Sequence, residues 1–189
     1  MDKKQLKREI ATRLTKAKVN ELVTLGGQNA FSIADLFEHC FDQDKTIAFH
    51  AAWVLEYTAE KFPEKFIPFL AEFIEALPMQ HIDSCQRHFA KIVLQFTSPK
   101  AKKIHQAAFG ELSANLHELL VETMFDWLID PKTPVAVRVN CMEILCYRVS
   151  AYPWIREELT AQMLFYLKDG SAAIQSRGKR LLKQLEKVI

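Results

Sequence analysis

Ala51-Ala52-Trp53-Val54-Leu55-Glu56-Tyr57 occurs again in this chain, altered but recognisable, as Ala90-Lys91-Ile92-Val93-Leu94-Gln95-Phe96 and as Cys141-Met142-Glu143-Ile144-Leu145-Cys146-Tyr147. Each copy has a small residue, an aliphatic pair three and four positions later, and an aromatic two beyond that. A fainter copy near the C-terminus has Gly178, Leu181 and Leu182 in the same places and Gln184 at the aromatic position. Positions i, i+3 and i+4 share one face of an α-helix, so the small residue admits a neighbouring helix closely while the Leu fills the contact. The copies begin 39, 51 and 37 residues apart, which makes each of them one helix of a repeated pair.

The chain on either side keeps a helical period. Leu6, Ile10, Leu14, Val19, Leu22 and Val23 predict a first helix over about residues 4–25, stopped by Gly26-Gly27. A shorter helix runs from Ser32 as N-cap to Cys40. Ile47, Ala48, Ala51, Val54, Leu55 and Thr58 form one stripe up to Phe62-Pro63, a break that recurs as Tyr152-Pro153. Ile67, Leu70, Phe73, Ile74 and Leu77 form the next, closed by Pro78, and so short a connection makes the two helices antiparallel neighbours. The long spacing falls in the third unit, where residues 98–113 read as an insertion carrying Lys100, Lys102, Lys103 and His105. Insertions in repeat architectures tend to project from one face as binding loops.

Composition agrees with an all-α chain. Half of the 189 residues (49%) are hydrophobic and a quarter (25%) charged, which suffices for a folded core. The 5 Gly are sparse, and the 7 Pro fall mostly between periodic segments, where they start or stop helices rather than interrupt strands. The expected fold is a single α-solenoid domain over residues 1–189, a right-handed superhelix of about nine helices with a long basic helix at one end and a capping helix at the other. The charged start and the lack of a long apolar run predict a cytoplasmic chain without a membrane span. Cys40, Cys85, Cys141 and Cys146 have no framework spacing and read as buried thiols. Residues 1–18 are net +5 and residues 177–187 net +4, which leaves −7 for the middle of a chain whose formal charge is +2. The molecule has basic ends and an acidic waist.

The small residue and Leu of the motif, the run Val137-Arg138-Val139-Asn140-Cys141 with its V-R-x-x-A look, and the Pro-started partner helix together resemble HEAT or armadillo-like repeats over most of residues 30–189. Such a resemblance implies a fold rather than an activity. More narrowly, Ala51 to Glu56 and Phe125-Asp126-Trp127 are similar to landmarks of short bacterial HEAT-like chains of unknown role, some of which are labelled adenylosuccinate lyase. The lyases of that name carry a loop of S-S-x-M-P-x-K-x-N type; this chain has no Ser-Ser pair, only the reversed Pro78-Met79, and is short of that family's long helical core.

Three clusters are candidates for chemistry or contact. His81, Cys85 and His88 stand at i, i+4 and i+7, one face of a helix, and convergent nitrogen and sulfur ligands are what zinc needs. A fourth ligand must then come from His105 or His117; the plainer reading is capping or exposed histidines around a half-buried thiol, and no cofactor is expected. Glu118, Glu122, Asp126 and Asp130 follow one another at i+4, a ridge of like charge suited to a basic partner or simply to solvent. Lys100, Lys102 and Lys103 form the basic insertion. Tyr57, Phe96 and Tyr147 face about 200° away from the motif Leu, so they are expected to pack on the next repeat or to form a recognition stripe. Trp154, at a Pro-led helix start, is expected to wedge between helices.

No phosphate-binding, hydrolase or metalloprotease signature is present. The expected function is therefore a non-enzymatic scaffold that presents a groove to a protein helix or extended peptide, with the acidic ridge and the basic insertion as steering surfaces. Nucleic-acid binding, as in the HEAT-like solenoids of alkylpurine DNA glycosylases, is the alternative partner class, although the nearly neutral chain lacks the net positive charge usual for it. The sequence leaves the oligomeric state open.

Overall fold

The computed structural model describes residues 1–187. Among these lie twelve α-helices and no strand: α1 Lys3–Ala11, α2 Lys16–Gly27, α3 Ile33–His39, α4 Lys45–Lys61, α5 Pro63–Phe66, α6 Leu70–Ala76, α7 Asp83–Thr97, α8 Lys103–Gly110, α9 Ala114–Ile129, α10 Val135–Arg148, α11 Ile155–Asp169 and α12 Ala172–Leu185. None is long and apolar enough to cross a membrane.

The motif decides how they stack. Helices α4, α7, α10 and α12 each carry one copy and pack side by side in that order, with α2 extending the row beyond α4. A second row lies against the first: α3 and α5 on α4, α9 on α10, and α11 on α12. This is the expected α-solenoid. Ala51, Ala90 and Cys141 are fully buried and Gly178 is buried, as small residues between close helices must be. The residue three positions on, Val54, Val93, Ile144 or Leu181, is buried in every copy. The next position varies: Leu55 and Leu145 are fully buried, whereas Leu94 and Leu182 stay half-buried.

Hydrogen bonds between neighbouring helices of the same row repeat the same spacing. Lys91 reaches Glu56 across 35 residues, Arg180 reaches Glu143 across 37, and Tyr166 reaches Leu128 across 38. Each repeat is thus tied to its neighbour in sequence.

The expected nine helices become twelve at three places. The first is divided at residues 12–15, where Thr12 Oγ1 donates to the Glu9 carbonyl at 2.7 Å and the Thr15 hydroxyl caps the next helix by accepting from Lys18 N. Short hydroxyl side chains compete for backbone groups in this way, so the period continues through Leu14 while the backbone does not. The second helix pair member, expected as one stripe, is interrupted by a 3-10 turn at Ile67–Phe69, since Pro68 cannot donate to the ladder. The third addition is α8, inside the insertion.

The stop after α2 also differs from expectation. Gly26 and Gly27 are helical, and the left-handed residue is Asn29, with φ of 60°. Asn29 N donates to Gly26 O and Ala30 N to Leu25 O, the paired bonds of a Schellman ending. The glycines serve packing instead: a Cβ on Gly27 would lie 2.6 Å from the Phe62 ring.

The N-terminal half of the core is aromatic. Phe37 from α3, Phe41 just beyond it, Phe66 and Phe73 from α5 and α6, and Phe89 from α7 form one cluster, with Phe73 and Phe89 centroids 4.9 Å apart. All four cysteines are buried free thiols. Trp127 is buried and Trp53 half-buried, but Trp154 is 55% exposed. Wedging of Trp154 between helices is therefore not what the fold uses; the ring lies on the surface, stacked on Phe125 at 5.6 Å.

Candidate functional site

The motif helices α4, α7 and α10 leave a groove along their open face. One hollow of about 380 Å³ is lined by Glu56, Lys91, Gln95, Glu143 and Tyr147 among others. A second, of about 200 Å³, continues it toward Lys100, Lys102 and His105, and the two share Glu60, Leu94, Gln95 and Ser98. Leu94 lines both because the motif position that is closed over in α4 and α10 is open in α7.

Two buried carboxylates set the electrostatics. Glu56 Oε2 lies 2.5 Å from His88 Nδ1, and since a carboxylate only accepts, that nitrogen carries the proton. Lys91 Nζ donates to Glu56 Oε1 at 3.0 Å, and Gln95 Nε2 to the Glu56 carbonyl at 3.2 Å. Glu143 accepts from Tyr147 Oη and from Arg180, each at 2.8 Å, and is paired with Arg177. Burial works to raise the Glu143 carboxyl, but the bonds from Arg180 and Tyr147 and the charge of Arg177 outweigh it and hold it below the usual carboxylate range. Burial, then the Glu143 contact, pushes the Tyr147 phenol up. Both carboxylates are committed to neighbours across a helix interface, an arrangement that fixes repeats rather than one that frees a base for proton transfer.

The insertion is docked, not projecting. Lys102 Nζ donates to the Glu60 carbonyl at 2.5 Å and His105 Nε2 to the Ala59 carbonyl at 3.2 Å. These are the last carbonyls of α4, where the helix dipole favours a donor and a cation. Lys100 and Lys103 remain exposed, Lys100 on the rim of the groove.

The other clusters are placed elsewhere. Helix α7 begins at Asp83, so His81 stands outside it and exposed. Cys85 is buried beside Cys40, with burial pushing its thiol up to about 12, and His88 turns to Glu56. The i, i+4, i+7 spacing thus does not bring His81, Cys85 and His88 together, and no group of three or more His, Cys, Asp and Glu among the described residues is placed to hold a metal ion. Glu118, Glu122, Asp126 and Asp130 are exposed along α9, in the row that does not line the groove.

The model of the HEAT repeat domain family matches residues 6–185. The chain belongs to the HEAT repeat family. No curated protein and no solved structure gives a match. Within this HEAT repeat domain the groove pairs were not singled out in the sequence, yet a signal for them exists. Glu56 and Lys91 fall inside two copies of the motif, 35 residues apart, close to one repeat length.

Two histidines give the HEAT repeat domain a pH dependence. Burial, and after it the charge of Lys102, lowers the His105 imidazole against the opposing Ala59 bond; burial and Arg148 lower His117. A lowered histidine is neutral in the fold and binds its proton more readily in the unfolded chain. Between the ordinary value of about 6.5 and the folded value the unfolded state holds more protons, so stability is complete above that window and is lost as pH falls through it. The urea midpoint is expected to fall between about pH 7.5 and 5.5, and His117→Phe to flatten the slope. A flat profile in the parent chain would contradict this account.

Proposed function

We propose that this HEAT repeat domain is a non-enzymatic binding scaffold whose α4–α7–α10 groove receives a helix or extended peptide of a partner protein. The observation that carries the reading is Leu94: one motif position, sealed in its counterparts Leu55 and Leu145, is open here and sits between polar Gln95, Ser98 and Tyr147. An apolar contact flanked by hydrogen-bonding groups is how peptide grooves combine affinity with register. The buried pairs beneath it hold the walls, so little ordering is needed on binding. Lys100, on the rim, would steer acidic residues of the peptide.

Selection from a displayed random-peptide library tests this directly. Enriched peptides are expected to lose at least about tenfold in affinity with Leu94→Arg, at a half-buried position, while circular dichroism stays unaltered. Peptides that bind Leu94→Arg as well as the parent would end the groove reading. One observation favours nucleic acid as a second reading: a basic hollow of about 520 Å³ lined by Lys179, Arg180, Lys183, Gln184 and Lys187. Salt-dependent retention on duplex DNA, lost with Lys179→Glu/Lys183→Glu, would favour it.

A further inference from the structure

The outer row carries an apolar surface on α9 and α11 that the groove does not use. Phe165 is 62% exposed, and Trp154, Ile129 and Leu164 are each more than half exposed. They are carried by two helices of the outer row. On α9 the residues Glu118, Glu122, Phe125, Asp126 and Ile129 follow at i, i+4, i+7, i+8 and i+11, one face. On α11, Glu158, Ala161 and Phe165 follow Trp154 at i+4, i+7 and i+11. The Trp154 ring stacks on Phe125 at 5.6 Å and an interplanar angle of 24°. Tyr166 Oη donates to the Leu128 carbonyl at 2.6 Å, which ties the last turns of α11 to the end of α9, and Phe165 beside it lines a hollow with Val135, Arg138 and Lys168.

Carboxylates border this surface on both helices. Glu118, Glu122, Asp126 and Asp130 line α9, and Glu157 and Glu158 open α11 beside Trp154; all are exposed. Arg138, the guanidinium beneath Tyr166, is engaged with the Asp130 and Pro131 carbonyls. An exposed apolar patch rimmed by polar residues marks a contact surface, and carboxylates on that rim favour an occupant of positive charge. The same border would repel anionic lipid headgroups.

We propose that this face binds a basic amphipathic helix of a partner protein, its apolar side over Phe125, Ile129, Trp154 and Phe165 and its Lys or Arg residues over the carboxylates. Aromatic anchors supply affinity, and the charges supply approach rate and register. The chain's own basic helix α1 is a poor rival as occupant, because its apolar residues Leu6 and Ile10 are fully buried in its own fold. The proposal is independent of the groove.

The probe is a synthetic helix about 18 residues long, with Leu along one face and Lys elsewhere, set against a scrambled peptide of equal composition. Binding is read by anisotropy of the labelled peptide and by the Trp emission shift. The amphipathic peptide is expected to bind at least about tenfold tighter than the scramble, to lose at least about tenfold with Trp154→Ala/Phe165→Ser and with Glu122→Lys/Asp126→Lys, and to be indifferent to Leu94→Arg. These surface positions are exposed, so circular dichroism of each variant should match the parent. Equal binding of the scramble would reduce the effect to charge and overturn the proposal, as would indifference to Trp154→Ala/Phe165→Ser. Loss with Leu94→Arg would move the site to the groove. Self-association in sedimentation, abolished by Trp154→Ala, would replace the partner helix with a second copy of the chain and equally overturn it.

Discussion

Phe89→Ala is expected to remove about 4 kcal/mol from the stability of the domain. Phe89 is fully buried, and its ring lies 4.9 Å from Phe73, 5.9 Å from Phe41 and 6.2 Å from Phe37. It is therefore the point where α3, α6 and α7 meet. Truncation forfeits the transfer energy of the ring, leaves a cavity that three flanking rings cannot collapse into, and removes aromatic pair contacts. Against a total stability of about 5–15 kcal/mol, that is about a quarter or more of the margin. Urea unfolding should show a lower midpoint, while Phe89→Leu, which keeps most of the volume, should lose less than about 1.5 kcal/mol. A Phe89→Ala loss below about 1 kcal/mol would mean that the cluster repacks and that its rings are not a rigid joint.

The second large effect belongs to Glu56. Its side chain is 8% exposed, like that of His88 at 7%, whereas Lys91 is 39% exposed. Removing one partner of a buried pair costs about 3–5 kcal/mol when the other is left uncompensated, and the access of Lys91 to water discounts this to about 2–3 kcal/mol for Glu56→Ala. Glu143→Ala should cost less, about 1 kcal/mol, because Arg177 and Arg180, 39% and 54% exposed, can return to solvent. A double-mutant cycle of Glu56→Ala with His88→Ala separates the pair from its context, with a coupling of about 1–2 kcal/mol expected. If Glu56→Ala and Glu143→Ala prove equal, burial of the partner is not what distinguishes the two carboxylates.

The difference between those carboxylates is a measure of what a sequence can display. Helices α3, α4 and α10 were legible because their apolar residues recur at a fixed period and, for α3, because Ser32 offers a capping oxygen where the helix starts. The break at Thr12 to Thr15 was not, since Leu14 remains buried and keeps the period intact across it. The helix face expected to carry His81, Cys85 and His88 together fails for a related reason: spacing assumes a helix already running, and α7 starts two residues after His81. The groove depends on the half-buried state of Leu94, and nothing in the aliphatic pair Val93-Leu94 differs in kind from the sealed Val54-Leu55. Accessibility there is set by the neighbouring helices, which the local pattern does not contain. The acidic ridge and Trp154 were visible as residues, but their common surface exists only once α11 lies against α9.

The bonds that tie each repeat only to the next have a mechanical meaning. Among the described residues, ties at spacings such as 35, 37 and 38 residues join one repeat to the next and make no girder from end to end. Stretched between its termini, it would yield as a spring does, first by changing pitch and then by surrendering one coil while the others keep their shape. A partner seated along several helices would thereby set the pitch, and with it the distance between whatever is held at the two ends.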